Sequence, residues 1–516
     1  MYLIITSSRD AYITNKILSN KFRATDANTG RAGTLDLFKL YSESTLAGET
    51  NPIELSRSLI KFDFDKLIEL TGSILDVNHS SFKCSLKMKA LRAGQATPQN
   101  FRLAVFPLSQ SFDEGIGRDV GSYGDLDACN FITASYADGA VVAWNTAGAD
   151  ALGQLGESSI DIIASGNLND GDGLQDLFAV QVFKDGNEDL SVDVTTVVSG
   201  ILAGMIPNHG FRLSYSGTEE TDTKTRFVKR FFSRHSRQIY KQPMIHVSFD
   251  DTIHDHHRGF FFDVSGSVFL NNFHRGRPAN IVSGSALTDL SGNNCLAVTI
   301  MSGSFSKVVT ASQHVASTTP AVGLPGVYSA SFAIPMSETS TVISTDRVTD
   351  FAIKSGSLTF DEIWHSLDGT VAFHTGSLTL EAPTRTASNF TSRKPSIIIT
   401  NAKGDYTRGD KVKFRVFAQD HEAERAAPKK RSYELKSVIL EEVYYRVRDT
   451  LSGDIAIPFQ KTGSGTRLSS DSAGMYFEFH MSNLFIGRVY SFEFLIVDRG
   501  QEYVIDDLAL RFRVDP

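Results

Sequence analysis

The sequence predicts an all-β, multidomain chain, and three observations carry that expectation. Phe dominates the aromatic residues, 36 against 2 Trp, and Phe is a strand former. The 40 Gly, with many Ser and Thr, supply the turn residues that frequent chain reversals need. Apolar and polar residues alternate with period two in stretch after stretch. That spacing puts one set of side chains on a core face and the other toward solvent or a partner. At 516 residues a single core is exceeded, so about three modules are expected.

Taken in order, the apolar Met1-Tyr2-Leu3-Ile4-Ile5-Thr6 reads as a first strand. Ile60, Phe62 and Phe64 alternate with Lys61, Asp63 and Asp65, and Phe101, Leu103 and Val105 flank Arg102 and Ala104. Helical periodicity is scarce; residues 195–203 are expected to form one short turn. Phe211, Leu213 and Tyr215, then Ile245, Val247 and Phe249, complete a first segment spanning 1–252. A polar stretch at 250–258, rich in His and Asp, breaks the pattern. The second segment, 259–390, reads as a β-sandwich. Ser-Gly-Ser or Thr-Gly-Ser at 265–267, 283–285, 302–304, 355–357 and 375–377 are expected as hairpin punctuation. Ser392-Arg393-Lys394-Pro395 reads as a linker. The third segment, 394–516, carries Val412, Phe414 and Val416, then Tyr490, Phe492, Phe494 and Ile496, then Leu508, Leu510, Phe512 and Val514. Short strands over such a length suggest an immunoglobulin-like sandwich, although the Cys-Trp-Cys core of antibody domains is absent.

Charge and cysteine usage narrow the function classes. The net charge of −8 argues against a nucleic-acid coat, which needs a positive field. No apolar run approaches the ~18 residues of a membrane helix, so no membrane partner is expected. The N-terminus is apolar but too short and uncharged for a signal peptide, so none is expected. Cys84, Cys129 and Cys295 are too few for a disulfide framework and read as free, buried thiols.

Several motifs, in order and at matching spacing, carry a resemblance. Asp10-Ala11-Tyr12-Ile13 opens the chain, and the basic strand Arg57 to Asp63 follows. Next come Trp144-Asn145-Thr146-Ala147-Gly148, Asp193-Val194-Thr195, and Gly210-Phe211. Phe231-Phe232-Ser233-Arg234 and Pro243-Met244-Ile245-His246-Val247 end the series. The first ~250 residues so marked resemble the DNRLRE-type family, a jelly-roll related to carbohydrate-binding modules. Tyr136 stands where that family often has an earlier Trp. The resemblance implies an N-terminal jelly-roll sandwich. The whole chain also resembles structural proteins of marine myovirus-like tailed bacteriophages, through Phe261-Phe262-Asp263-Val264-Ser265-Gly266-Ser267 and Leu270-Asn271-Asn272-Phe273-His274-Arg275-Gly276.

Four candidate sites follow from residue chemistry. His254, Asp255 and His256 combine imidazole and carboxylate, a metal-ligand pattern. The plainer reading is a solvated interdomain linker, and it is preferred because no closed ligand set accompanies them. The Asn167-Leu168-Asn169-Asp170-Gly171-Asp172-Gly173 loop misses EF-hand spacing. No cofactor is therefore called for, although a structural Ca or Zn ion is compatible with these residues. Arg226, Lys229, Arg230 and Arg234 form a basic cluster interleaved with Phe, which could contact phosphate or an acidic glycan; a solvated strand face or an acidic protein partner is preferred. Trp144, Tyr136 and Tyr123 could stack on sugar rings, with core packing preferred. Asn78-His79-Ser80 and Asn389-Phe390-Thr391 match glycosylation acceptors.

No GxSxG elbow or P-loop is present. Neighbouring acids such as Asp113-Glu114 and Glu219-Glu220 would point to opposite faces of a strand, which is no acid/base pair. The chain is therefore expected to be non-enzymatic. Two functions are carried forward. One is a structural component of a tailed-phage virion (tail, baseplate or neck), assembled in the host cytoplasm with other virion proteins, as a homo-oligomer. The alternative is an adhesion module recognising a host-surface glycan.

Overall fold

The computed structural model describes the chain except residues 72–73, 93–96, 123, 125–126, 169–172, 285–286, 319–320, 344, 383–394, 421–436 and 499. Tyr123, most of the 167–173 loop, the 389–391 acceptor and most of the 392–395 linker lie outside the described residues. The structure is 49% strand and 7% helix, the all-β outcome that the alternation predicts. The three cysteines are free, with Cys84 and Cys129 buried. No helix is long and apolar enough to cross a membrane. Two compact units form: residues 2–69 with 82–248, and residues 70–81 with 249–516, which also takes Met1.

The first unit is a jelly-roll-like array of antiparallel strands. Its path runs Ala179–Phe183, Phe101–Pro107, Phe211–Tyr215, Ile53–Phe62, Tyr2–Thr14, Met244–Ser248, Lys83–Met88, Leu190–Asp193. Thr34–Tyr41 pairs Ile53–Phe62, and Arg226–Phe232 pairs Thr34–Tyr41 off this path. Tyr2–Thr14 serves two layers. Its residues up to Thr6 pair Met244–Ser248; from Ser7, through a bulge, they pair Ile53–Phe62. Such a bend turns a sheet corner. The two ends of the path also meet. The Gln181 amide donates to Asp189 O at 2.8 Å and accepts from Ser191 N at 2.6 Å. One side chain thereby links the two ends of the path. Thr195–Leu202 is a short helix, as residues 195–203 lead one to expect.

The second unit holds two sandwiches. In the first, a path of seven strands runs from Phe260–Phe261 through Ala372–Glu381, Ser357–His365, Leu296–Ser302, Phe305–Thr318 and Ala321–Phe332 to Gly266–Asn271. Phe305–Thr318 pairs Leu296–Ser302 up to Ala311 and Ala321–Phe332 from Ser312, so it too crosses between layers. The enclosed core includes Phe262, Tyr328, Phe360 and the fully buried Trp364. The Ser-Gly-Ser signals divide. Gly303 makes the tight turn joining Ser302 to Phe305, and Gly356 ends the helix Val348–Ser355 in a left-handed conformation. The signals at 265–267 and 375–377 instead contribute to strands Gly266–Asn271 and Ala372–Glu381. At Gly266 the reason is space: a Cβ would meet the Phe260 ring at 2.7 Å.

The C-terminal sandwich has immunoglobulin strand order. Pro395–Ile399, Lys411–Asp420, Gly474–His480 and Ser469–Asp471 form one sheet in the A-B-E-D order. Asp405–Thr407, Gln501–Asp515, Val489–Asp498, Glu442–Asp449 and Ile455–Ile457 form the other, with Asp405–Thr407 parallel to Gln501–Asp515. The Cys-Trp-Cys core is replaced by rings. Phe414 on Lys411–Asp420 and Phe492 on Val489–Asp498 lie 5.0 Å apart, edge to face, where antibody domains place a disulfide. Tyr445 takes the Trp position, 6.3 Å from Phe492. Tyr490, two residues before Phe492, accepts from Phe485 N at 3.0 Å and donates to Phe485 O at 3.3 Å. That is the tyrosine corner of the fold.

Candidate functional site

The 250–258 stretch is a joint within the second unit, not a solvated linker. Asp255 is 2% exposed. On one side the segment bonds the C-terminal sandwich. Ser470 N donates to Ile253 O at 2.8 Å, Ser470 Oγ to Asp255 O at 2.9 Å, and Ile253 N to Ser469 Oγ at 3.2 Å. On the other side it bonds the preceding sandwich. His256 N donates to Ser267 O at 2.9 Å, and Ser267 N donates back to His256 Nδ1 at 3.1 Å. Arg258 Nε reaches Ser472 O at 2.8 Å. An extended, alternately facing segment can satisfy two sheets at once, and this one does.

Its centre is a buried chain of polar groups. His257 Nδ1 meets Asp255 Oδ1 at 2.6 Å, His257 Nε2 meets Glu362 Oε2 at 2.8 Å, and Trp364 Nε1 donates to Glu362 Oε1 at 2.5 Å. Burial opposes a charge on His257, but the hydrogen bonds and attraction of Asp255 and Glu362 outweigh it and carry the imidazole up to about 10. Glu362 is 2% exposed; burial opposes its charge too, yet His257 and the Trp364 donor hold it below the usual carboxylate range. His257 therefore stays an imidazolium near neutral pH, and both its ring nitrogens donate.

This arrangement corrects the metal expectation. Asp255 Oδ1 is committed to His257, which was not among the predicted ligands. His256 Nδ1 accepts from backbone. His254 is pushed down to about 4, by burial first and then by Arg467, and its Nε2 has no hydrogen-bond partner among the described residues. Among the described residues, no three His, Cys, Asp or Glu side chains are placed to hold a metal ion. The signal for Glu362 was present in the sequence. Leu358, Phe360, Glu362 and Trp364 share the inward face of Ser357–His365, so an acid occupies a core position in an apolar stripe.

The sugar expectation is corrected at Trp144. The ring is 5% exposed and packs with Ala11, Leu59 and Phe112, and Nε1 donates to Asn130 O at 3.0 Å. Its motif is a clamp. Asn145 N, Thr146 N and Ala151 N all donate to the fully buried Asp161 carboxylate at 2.8–3.0 Å. Gly148, at φ 85°, lets Arg57 reach its carbonyl at 2.7 Å; a Cβ there would stand 2.8 Å from Arg57 Nη1 and the Phe131 ring. Arg57 forks onto Glu220 at 3.1 and 2.6 Å, and Asp150 lies 3.0 Å from both Arg57 and Arg212. Tyr136, 45% exposed on the hairpin of Thr133–Ala137 and Ala140–Ala143, is the described aromatic candidate that faces solvent.

The basic cluster is consumed within the fold. Arg226 pairs with both Asp222 oxygens at 2.8 and 2.7 Å. Lys229, 2% exposed and pushed down to about 8 by burial, donates to Gly186 O and Glu188 O at 2.8 Å. Arg230 binds Asp36, and Arg234 binds both Glu114 oxygens. A register shift between Arg226 and Lys229 turns these two cations inward and leaves Phe227 47% exposed. The alternation therefore misassigned the faces. Glu219 and Glu220 sit on the short helix Thr218–Thr221 and not on a strand, paired with Arg102 and Arg57.

No family model and no curated protein matches the chain. Among solved structures it is similar to a titin A168–A169 fragment at 7% identity, over 50% of this chain and 92% of that one, with a TM-score of 0.14. It is similar to the N-terminal Ig1-2 module of the Drosophila receptor protein tyrosine phosphatase DLAR at 9% identity, over 49% and 89%, with a TM-score of 0.12. The BSP domain of a biofilm-associated protein aligns at 11% identity, over 95% and 68%, with a TM-score of 0.14. Scores this low carry no argument; the architecture rests on strand order and register.

Proposed function

We propose that this chain is a non-enzymatic structural component of a tailed-bacteriophage virion, in the tail, baseplate or neck, meeting other virion proteins and copies of itself through β-domain faces and edges. One observation carries the structural reading. Segment 253–258 hydrogen-bonds both sandwiches, and a buried ion-paired imidazole ties it to Glu362 of one of them, which holds their spacing. A fixed spacing between modules is what a particle component needs and what a flexible tether would forfeit. The phage assignment draws on the resemblance through 261–267 and 270–276. Mass spectrometry of purified particles, with immunogold labelling, tests it. Detection at stoichiometric abundance is expected, and absence from particles removes the assignment.

A glycan-adhesion role is the second reading, and exposed Tyr136 favours it. A glycan array on the full chain and on Tyr136→Ala separates the two. No binding at high micromolar concentration leaves the structural role alone, and binding retained in the variant places a glycan site away from Tyr136.

A further inference from the structure

Beside the joint, within the second unit, lies a cleft of about 720 Å³. Its lining includes five carboxylates, Asp255, Glu381, Glu441, Glu442 and Asp498, against one guanidinium, Arg258, among its described residues. Arg258 is turned to the Ser472 carbonyl. Acid clustering alone says little, because solvated carboxylates are ordinary. A second observation does more. Asp255 uses Oδ1 for His257, while its Oδ2 is buried with no hydrogen-bond partner among the described residues. An unpaired buried carboxylate oxygen is costly, and a donor brought to it recovers that cost. The cleft is also apolar in part. Phe261 and Val264 line it while 41% and 55% exposed, next to Ile439 and Leu440. Its volume is that of a ligand or peptide site. A bare metal ion fits poorly, since no three-ligand group exists among the described residues.

We propose that this cleft binds an extended partner segment carrying alternating basic and apolar side chains. The basic groups meet Glu441 and Glu442 at the rim, and one of them is aimed at Asp255; the apolar groups cover Phe261 and Val264. Charge complementarity selects the partner, and apolar burial holds it.

The test is a fluorescence-anisotropy titration of the full chain with a fluorescein-labelled decapeptide of alternating arginine and leucine. Glu441 and Glu442 are exposed, so Glu441→Gln/Glu442→Gln should fold, which thermal unfolding checks. The expected result is micromolar binding that weakens by about tenfold or more in that variant. A control that removes two exposed jelly-roll carboxylates, Asp63→Asn/Asp138→Asn, should change affinity by less than about twofold. Replacing leucine by serine in the peptide should also weaken binding. Equal losses in cleft and control variants would show only attraction to net negative charge and overturn the proposal. So would no binding at millimolar chain, or Ca²⁺ or Zn²⁺ titrating by calorimetry with the same sensitivity to Glu441 and Glu442.

Discussion

The 144–150 loop of the jelly-roll and the 253–258 joint of the second unit both bury charge, and they use different cations. In the jelly-roll, Arg57 and Arg212 are held among Glu220, Asp150 and the carbonyls of Gly148 and Ala149. In the second unit the cation between Asp255 and Glu362 is His257. A guanidinium keeps its proton throughout the physiological range, and its fork satisfies several acceptors. An imidazole is charged only while its partners keep it so. The 144–150 loop is therefore locked unconditionally, whereas the joint at 253–258 depends on a proton.

The largest expected effect comes from removing the permanent cation. Arg57→Met leaves Glu220 and the Gly148 carbonyl buried without their donor, and should destabilise the jelly-roll by roughly 3–5 kcal/mol. Hydrogen-exchange mass spectrometry on the full chain should show lost protection in peptides covering 144–150 and 211–221. Adding Glu220→Leu should restore much of it, because the uncompensated charge is then gone. If Arg57→Met costs under about 1 kcal/mol, the cluster is decoration and the contrast between the units fails.

The proton-dependent joint gives the next effect. His257 titrates near 6.5 when unfolded and about 10 in the fold, so the native state binds the proton more tightly. The stabilisation is complete below pH 6.5 and lost as pH rises through about 10. The expected loss is on the order of 2–4 kcal/mol between pH 7 and 10. It should appear as faster exchange at 253–258 and 357–365 after correction for intrinsic rates. His257→Gln should flatten that profile. An unchanged slope in the variant assigns the alkaline loss to other groups.

Much of the architecture was legible because it rests on local periodicity. Phe414, Val416, Phe492 and Phe494 alternate in sequence and lie inward in the structure. The tyrosine corner was not read from the sequence, because only the strand pairing shows that Phe492 stands where antibody domains place their second Cys. The site was less legible, since its members lie far apart. His257 and Glu362 are 105 positions apart, and only the pairing of strands brings them together. The basic cluster failed for another reason. Period two assumes unbroken register, and the irregularity between Arg226 and Lys229 reverses the faces within seven residues. The aromatic motif at Trp144 marked a real feature, a clamped loop, whose residue types equally suit a sugar site.

That clamp offers a smaller test. Trp144→Phe keeps most of the apolar volume but leaves Asn130 O without the indole donor, at a cost of about 1–2 kcal/mol in the jelly-roll alone. Unfolding followed at the segment level should leave the second unit's protection untouched. A stability change spread over both units would mean that the loop is not a local lock.

The smallest effect should come from the tyrosine corner of the C-terminal sandwich, where the interaction removed is a neutral hydrogen-bond exchange. Tyr490 is 1% exposed, and its hydroxyl both donates to and accepts from Phe485. Tyr490→Phe removes that exchange while the ring keeps its contact with Phe512 at 6.0 Å. One neutral hydrogen-bonding group is worth about 1 kcal/mol net, somewhat more when its backbone partner is left buried. The loss should be independent of pH between 6 and 9, because burial holds the phenol pKa at about 12. Here the contrast with the joint is sharpest, since both lie in one unit and only the joint responds to protons. A pH-dependent loss in Tyr490→Phe would mean that the corner and the joint are coupled, and the second unit would then be one titrating block instead of a fixed sandwich beside a conditional hinge point.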